Sequence, residues 1–258
     1  MDIYSASVQG KRKSNEDEIT ILTNIDSSNK KKNPINLFGI YDGHGGKFVA
    51  SHLSKNLPPY FMDKRLEYPI DKKYAKKLYD KIQTDLKNKY AEEATEAGST
   101  CLIVVQYKHN SNVYLNILNT GDSRCVLCRN GLDMTLTKDH KPDWPEEKKR
   151  ITDLGGKLEF DNFDWRICSL SVSRAFGDIS AEPYVTCSPD IYKYKITNDD
   201  QFFILACDGL WDVMSGSDVV NYILTNKEKD KNIAVNLAKH AIAKGSQDNI
   251  SIIIVFLK

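Results

Sequence analysis

The chain has 258 residues, 41% of them apolar, enough for a substantial core, and one domain spanning residues 1–258 is expected. Its 36 Lys+Arg against 35 Asp+Glu leave a net charge of +1, so no global field recommends nucleic acid or an anionic membrane as a partner. No apolar run reaches the ~18 residues that span a bilayer and the N-terminus lacks the shape of a signal peptide, so an intracellular monomer, cytoplasmic or nuclear, is expected.

In chain order, IYSASVQG from Ile3, EITILTN from Glu18 and NLFGIYDG from Asn36 read as strands, short β-branched or alternating runs ended by Gly, Asn or Asp. The polar stretch NIDSSNKKKNPIN between the second and third, with its lysine run Lys30-Lys31-Lys32, reads as a solvated hairpin loop. Two amphipathic helices follow. Residues 47–57 carry Phe48, Ala50, Leu53 and Leu57, and residues 71–97 carry Ala75, Leu78, Tyr79, Ile82, Leu86 and Tyr90 at helical spacing before Gly98. TCLIVVQY, VYLNILNTGD and CVLCRNG then give three more strands, and Pro145 opens a helix that Gly155-Gly156 closes. DIYKYKI, FFILACDG and ISIIIVFL complete the strands, with helices at 216–225 and 232–244 before the last. Strands and helices arrive in groups instead of alternating, which argues for α+β layers over a parallel doubly wound sheet.

The six cysteines, Cys101, Cys125, Cys128, Cys168, Cys187 and Cys207, lie mostly in apolar strand-like runs, where a free thiol behaves as a small buried hydrophobe. Cys125 and Cys128 form a C-x-x-C within a strand, a spacing that puts the sulfurs on opposite faces, so neither zinc nor redox use is expected.

Acidic residues mark the strand ends. Asp42 ends NLFGIYDG, Asp122 ends LNTGD, Asp208 and Asp212 follow FFILA, Asp248 precedes ISIIIV, and Glu16-Asp17 open EITIL. Singly, each reads as turn punctuation, because Asp beside Gly is an ordinary turn signal. Together they change the reading, since Asp42 and Asp208 each follow a run that should lie mid-sheet and would meet at one rim. Two carboxylates at ~4 Å repel by about 4 kcal/mol at an effective dielectric of 20, so such a group needs raised pKa values or a cation. Oxygen ligands with no His or Cys cluster select Mg²⁺ or Mn²⁺, and a two-metal site is the natural inference. Paired ions can acidify a water and clamp an in-line displacement at phosphorus. That chemistry also wants a cation for the phosphate, which Arg12 can supply, and an acid for the leaving oxygen, which His44 can supply. Alone, Arg12 would read as a surface charge between Lys11 and Lys13, and His44 as a turn residue.

Seven motifs in order, QGKRKSNED, YDGHGG, NTGDSR, DHKPD, SVSRAFGD, ACDGLWDVM and GSQDNIS, resemble the metal-dependent Ser/Thr protein phosphatases of the PPM or 2C type, from about residue 3 to residue 257. The resemblance implies a four-layer α-β-β-α sandwich, two antiparallel sheets flanked by helix pairs, with two Mg²⁺ or Mn²⁺ ions at one end. By position it implies that Asp42 bridges both ions, that Asp208 and Asp248 complete one site, and that Glu16 with the Gly43 carbonyl holds the other. A glycine there lets the backbone approach a metal. Asp17 would act directly or through water, and Asp122 with Asp212 would form a weaker third position. Arg12 would bind the phosphate of a phosphorylated protein substrate and His44 would be the general acid. Water or hydroxide between the ions would attack, without a phosphoenzyme.

Three departures stand out. Ile167-Cys168 replaces a common Asn-Gly turn, the segment from Gly177-Asp178 to Tyr184 is short, predicting a small flap beside the cleft, and no regulatory extension is expected at either end. Three rivals are weaker. Cys168 and Arg174 have the C-x5-R spacing of cysteine-dependent phosphatases, but the intervening SLSVS has no glycine and alternates like a strand, where a phosphate cradle needs a tight loop into a helix. A metal-free scaffold that only binds partners should have lost ligands that are present here. DGHGGKF lacks the glycine pattern of a nucleotide loop.

Overall fold

The computed structural model describes residues 1–25, 34–63 and 65–257; the Lys30 to Lys32 loop lies outside them. The strands are β1 (Ile3–Val8), β2 (Glu18–Ile25), β3 (Ile35–Tyr41), β4 (Gly43–His44), β5 (Gly98–Ser99), β6 (Cys101–His109), β7 (Asn112–Thr120) and β8 (Arg124–Arg129). After them come β9 (Leu132–Thr135), β10 (Glu159–Asp161), β11 (Asp164–Arg166), β12 (Phe176–Gly177), β13 (Asp190–Lys195), β14 (Asp200–Ala206) and β15 (Ile250–Phe256). The helices are α1 (Phe48–Asn56), α2 (Pro58–Phe61), α3 (Lys72–Lys89), α4 (Ala91–Ala94), α5 (Pro145–Asp153), α6 (Asp208–Trp211), α7 (Gly216–Asn226) and α8 (Ile233–Ala243).

Two five-stranded antiparallel sheets, ordered β1-β15-β14-β8-β9 and β13-β7-β6-β3-β2, pack face to face. The central strands are apolar on both faces because each face is covered. In β3, Phe38 and Ile40 meet Phe203, Leu205 and Val255 between the sheets, while Leu37 and Tyr41 turn to α1 and α3. In β14, Phe203 and Leu205 point inward, while Phe202, Ile204 and Ala206 pack under α7 and α8. The same alternation sends Cys125 between the sheets and Cys128 to the helix side, so the C-x-x-C does not converge. The result is the expected α+β sandwich, α-β-β-α in section.

Helix ends follow local chemistry. Asp71 caps α3 by accepting from Lys73 N and Tyr74 N, Pro145 opens α5, and Ser215 with Asp218 forms a capping box on α7. No helix among the described residues is long and apolar enough to cross a membrane.

The small flap expected at 177–184 is placed differently. Those residues form a 3-10 turn, Ile179–Ala181, whose Ala181 packs with Ile151 of α5, whereas the cleft is bordered by Arg166, Ser169, Leu170, Ser171 and Val172 at the foot of the β10–β11 hairpin. Cys168 and Ser169 keep the left-handed turn that Asn-Gly would favour, at φ +50° and +69°.

Candidate active site

Strand register gathers the acidic ends at one rim. Glu18 pairs with Tyr41, Cys101 with Thr120 and Ala206 with Ile252, so Asp17, Asp42, Asp122, Asp208 and Asp248 emerge at the same end of the sandwich. Arg12, Asp42, Gly43, His44, Asp122, Asp208 and Asp248 line one cleft of about 350 Å³. Asp42 is fixed through its backbone: its N–H donates to Thr100 Oγ1 at 3.1 Å and its carbonyl accepts from Thr100 N at 2.9 Å. Thr100 Oγ1 in turn meets Ser123 Oγ at 2.8 Å, beside Asp122. At Gly43 a Cβ would come within 2.4 Å of the Glu16 carbonyl oxygen, so only glycine admits this close approach.

The electrostatics are those of crowded, buried carboxylates. Carboxylate oxygens of Asp42 and Asp208 and the Cys207 sulfur lie within 4.8 Å of one another. Burial, then the charges of Asp208 and Asp17, push the Asp42 carboxyl well above the usual range. Burial, then Asp122 and Asp212, do the same to Asp208. Asp17 is 2% exposed, neither of its oxygens is in a hydrogen bond of ordinary geometry among the described residues, and burial, only partly offset by the nearby Ser251 hydroxyl, raises it to about 6. Such orphaned oxygens are costly unless a cation takes them. Cys207 does not compete as a ligand: burial and the surrounding carboxylates push its thiol far up, it donates to Asn249 O, and it accepts from Ser251 N. The donor set therefore fits hard divalent cations.

The remaining expected residues differ in how they stand. The Glu16 carboxylate accepts from Gly46 N at 3.0 Å and Ser14 Oγ at 3.2 Å, at the edge of the group. Asp212 follows α6 with its surface open to solvent, but the protein packed around its carboxyl desolvates it enough to raise it, Asp122 adding to the rise against Lys141; its charge reaches Asp208. Arg12 stands 59% exposed at the mouth with Nη2 at 2.6 Å from Asp248 Oδ2.

Four functional partners escape a reading of single motifs. Asp178, 2% exposed, accepts from His44 Nε2 at 2.8 and 2.9 Å. Burial alone would lower the imidazole pKa, but the bond and charge of Asp178 outweigh it and raise the value, favouring a protonated His44. Gln83 of α3 holds the neighbouring Gly177 peptide from both sides, donating to its oxygen at 2.8 Å and accepting from its N–H at 2.9 Å. Lys141 donates to Asp122 Oδ2 at 2.5 Å; burial opposes its charge, but Asp122 overrides that and keeps it protonated. Asn249 donates to Gln9 O and Ser14 O, both at 2.8 Å, and accepts from Glu16 N at 2.9 Å, tying down the loop that carries Arg12 and Glu16. The DHKPD motif thus builds the ground around Asp122: Asp139 pairs with Arg124, His140 Nδ1 accepts from Gly121 N, and Lys141 meets Asp122 itself.

Gly98 lies against the His44–Asp178 pair, where a Cβ would fall 2.1 Å from Asp178 Oδ2 and 2.6 Å from His44 Nε2. Gly98→Ala should therefore separate the pair and cost about 1–3 kcal/mol of stability by overpacking. Thermal melts check this; an unchanged melting temperature would mean that the pair tolerates a methyl group.

The cysteine rival does not assemble. Arg174 is committed to Glu147 at 2.5 Å and to Asp190 at 3.0 Å, and the exposed Cys168 thiol is raised by partial burial and by Glu159, away from a thiolate.

A family model for protein phosphatase 2C matches residues 1–250. A PP2C-like domain-containing protein of Acanthamoeba polyphaga mimivirus is 44% identical over 167 residues, covering 55% of this chain and 93% of its own length. Probable protein phosphatase 2C 7 of Oryza sativa subsp. japonica is 36% identical over 255 residues, 97% of this chain, and the chain spans 64% of that relative's length. Among solved structures, serine-threonine phosphatase 2C from Toxoplasma gondii superposes with a TM-score of 0.82 at 25% identity, covering 100% of this chain and 95% of its own. Matched by the family model over residues 1–250 and folded like the solved Toxoplasma phosphatase, the chain belongs to the protein phosphatase 2C family.

Proposed function

We propose that this chain hydrolyses phosphoserine and phosphothreonine in proteins, with residues 1–258 acting as one catalytic domain. The observation that carries the reading is the carboxylate rim, in which a buried Asp17 with its carboxyl raised accompanies Asp42 and Asp208, both raised well above their usual range. Asp42, Asp208, Asp248, Glu16, Asp17 and the Gly43 carbonyl would hold two divalent ions. When bound, Mg²⁺ or Mn²⁺ supplies charge neutralisation at the phosphoryl oxygens and an acidified water for in-line attack. Asp122 and Asp212 would make a weaker third position, since Lys141 already neutralises Asp122.

Arg12 would turn its planar fork from Asp248 to the phosphate oxygens. Asp178 takes the His44 Nε2–H, leaving Nδ1 to deliver a proton to the departing seryl or threonyl oxygen. The reading takes phosphorylated proteins as substrates and goes with an intracellular monomer, in cytoplasm or nucleus.

The experiment compares leaving groups. His44→Gln should lose about a hundredfold or more in kcat on phosphothreonine peptides, whose alkoxide leaves poorly, and only a few-fold on an aryl phosphate, whose phenolate needs no help. Equal losses on both would remove His44 from this role. Cys168→Ser should keep near wild-type activity; a dead but folded variant would move the reaction to cysteine chemistry.

A further inference from the structure

The β10–β11 hairpin takes no part in the reaction described above, yet its composition is costly. Phe160 faces Trp165 across the pair with ring centroids 5.3 Å apart, and the two residues are 61% and 37% exposed. The turn between the strands is Asn162-Phe163, both left-handed, and Phe163 sits at φ +65° with 98% of its surface in solvent. An aromatic residue there carries strain that glycine would avoid. On the other face Asp161 stands opposite Asp164, a like-charge pair that weakens a ladder.

The hairpin is continuous with the cleft. Arg166, at the end of β11, lines it together with Asp42 and Asp208, and the charge of Asp164 reaches both Lys141 and Asp212. Residues 159–166 carry Glu159, Asp161 and Asp164 against Arg166, an acidic surface interleaved with aromatic rings, and Lys148 Nζ already lies 5.7 Å from the Trp165 ring centroid. Asp161 accepts from Asn162 Nδ2 and Asp164 from Trp165 N, and among the described residues neither carboxylate has a cationic partner, so exposed rings beside them are complementary to chain that mixes basic and apolar side chains.

We propose that this hairpin docks the substrate segment flanking the phosphorylated residue and selects segments rich in Arg or Lys and apolar residues. The inference rests on the phosphatase reading for its substrate, but docking itself needs no turnover. The Asp161–Asp164 pair would receive a basic side chain, and Phe160, Phe163 and Trp165 would receive the apolar ones.

The test is fluorescence anisotropy of three labelled threonine peptides of equal length, unphosphorylated, with Arg/Leu-rich, Asp/Glu-rich or Gly/Ser-rich flanks. The Arg/Leu peptide should bind about tenfold tighter than the acidic one, a ratio that shrinks with added salt. In the Asp161→Asn/Asp164→Asn double variant the ratio should fall toward one. Phe163→Gly should weaken the Arg/Leu peptide roughly fivefold or more while raising the melting temperature, the reverse of what a merely structural residue would do. Equal affinities across the three peptides, or a preference unchanged in the variants, would overturn the proposal. In parallel, kcat/KM on the phosphothreonine forms reads the phosphatase assignment: tight, selective binding without phosphate release would sink that assignment and leave the docking surface standing.

Discussion

Asp42→Ala should cut phosphate release from a phosphothreonine peptide by at least about a thousandfold, some 4 kcal/mol of transition-state stabilisation, while the metal-free protein stays folded. Both halves follow from position. Asp42 leaves the central strand β3 at the rim, its carboxyl held up by burial and by the charges of Asp208 and Asp17, so it is the group that two cations would share. Deleting it removes repulsion in the metal-free state, and melting without divalent ions should be unchanged or higher. Asp208→Ala should behave alike, because burial, Asp122 and Asp212 raise it in the same way. Calorimetric titration with Mn²⁺ should show at least a tenfold weaker affinity in either variant. Wild-type turnover in either would mean that the ligand assignment is wrong.

The same repulsion gives the metal-free protein a pH signature. Asp17 has a folded value of about 6 against an ordinary 3.8. A carboxyl raised on folding adds stability that is complete below the unfolded value and is lost as pH rises through the folded one. Metal-free protein should therefore lose stability between about pH 4 and pH 6, and saturating Mn²⁺ should reverse the loss by holding the ionised form. Melting curves across that range with and without Mn²⁺ check the sign; a metal-free protein that gains stability over the window would contradict it.

Nine strands and the major helices were legible because their periodicity is stark: β3, β14 and β15 are apolar on both faces, and α3 repeats its buried positions every three or four residues. The rim acids were legible for a related reason, since each sits beside the start or the end of such a run. What escaped depends on register between distant segments. His44 and Asp178 are 134 residues apart, and Arg12 and Asp248 are 236 apart. Gly177-Asp178 reads locally as a turn, so nothing announces the imidazole it meets. Lys141 reads as one more surface lysine until Asp122 is seen beneath it. Cys207 reads as core and is core, although it stands against two carboxylates. The β10–β11 hairpin escaped because its strands are three residues each and set one aromatic between charged residues, a pattern with no apolar alternation to read.

The most direct test of the account is phosphate release from a phosphothreonine peptide by the purified protein after exhaustive chelation and then after re-addition of Mn²⁺ or Mg²⁺. A buried Asp17 carboxylate beside Asp42 and Asp208, whose carboxyls burial and neighbouring acids raise, is suited to cations. Removing the ions should also remove the acidified water on which attack depends. The expected effect is among the largest open to measurement: activity at background under EDTA, restored severalfold to fully by Mn²⁺ or Mg²⁺, with the melting temperature rising as the ions bind. Full activity on the phosphopeptide after chelation, in protein shown by elemental analysis to hold no divalent metal, would contradict the account.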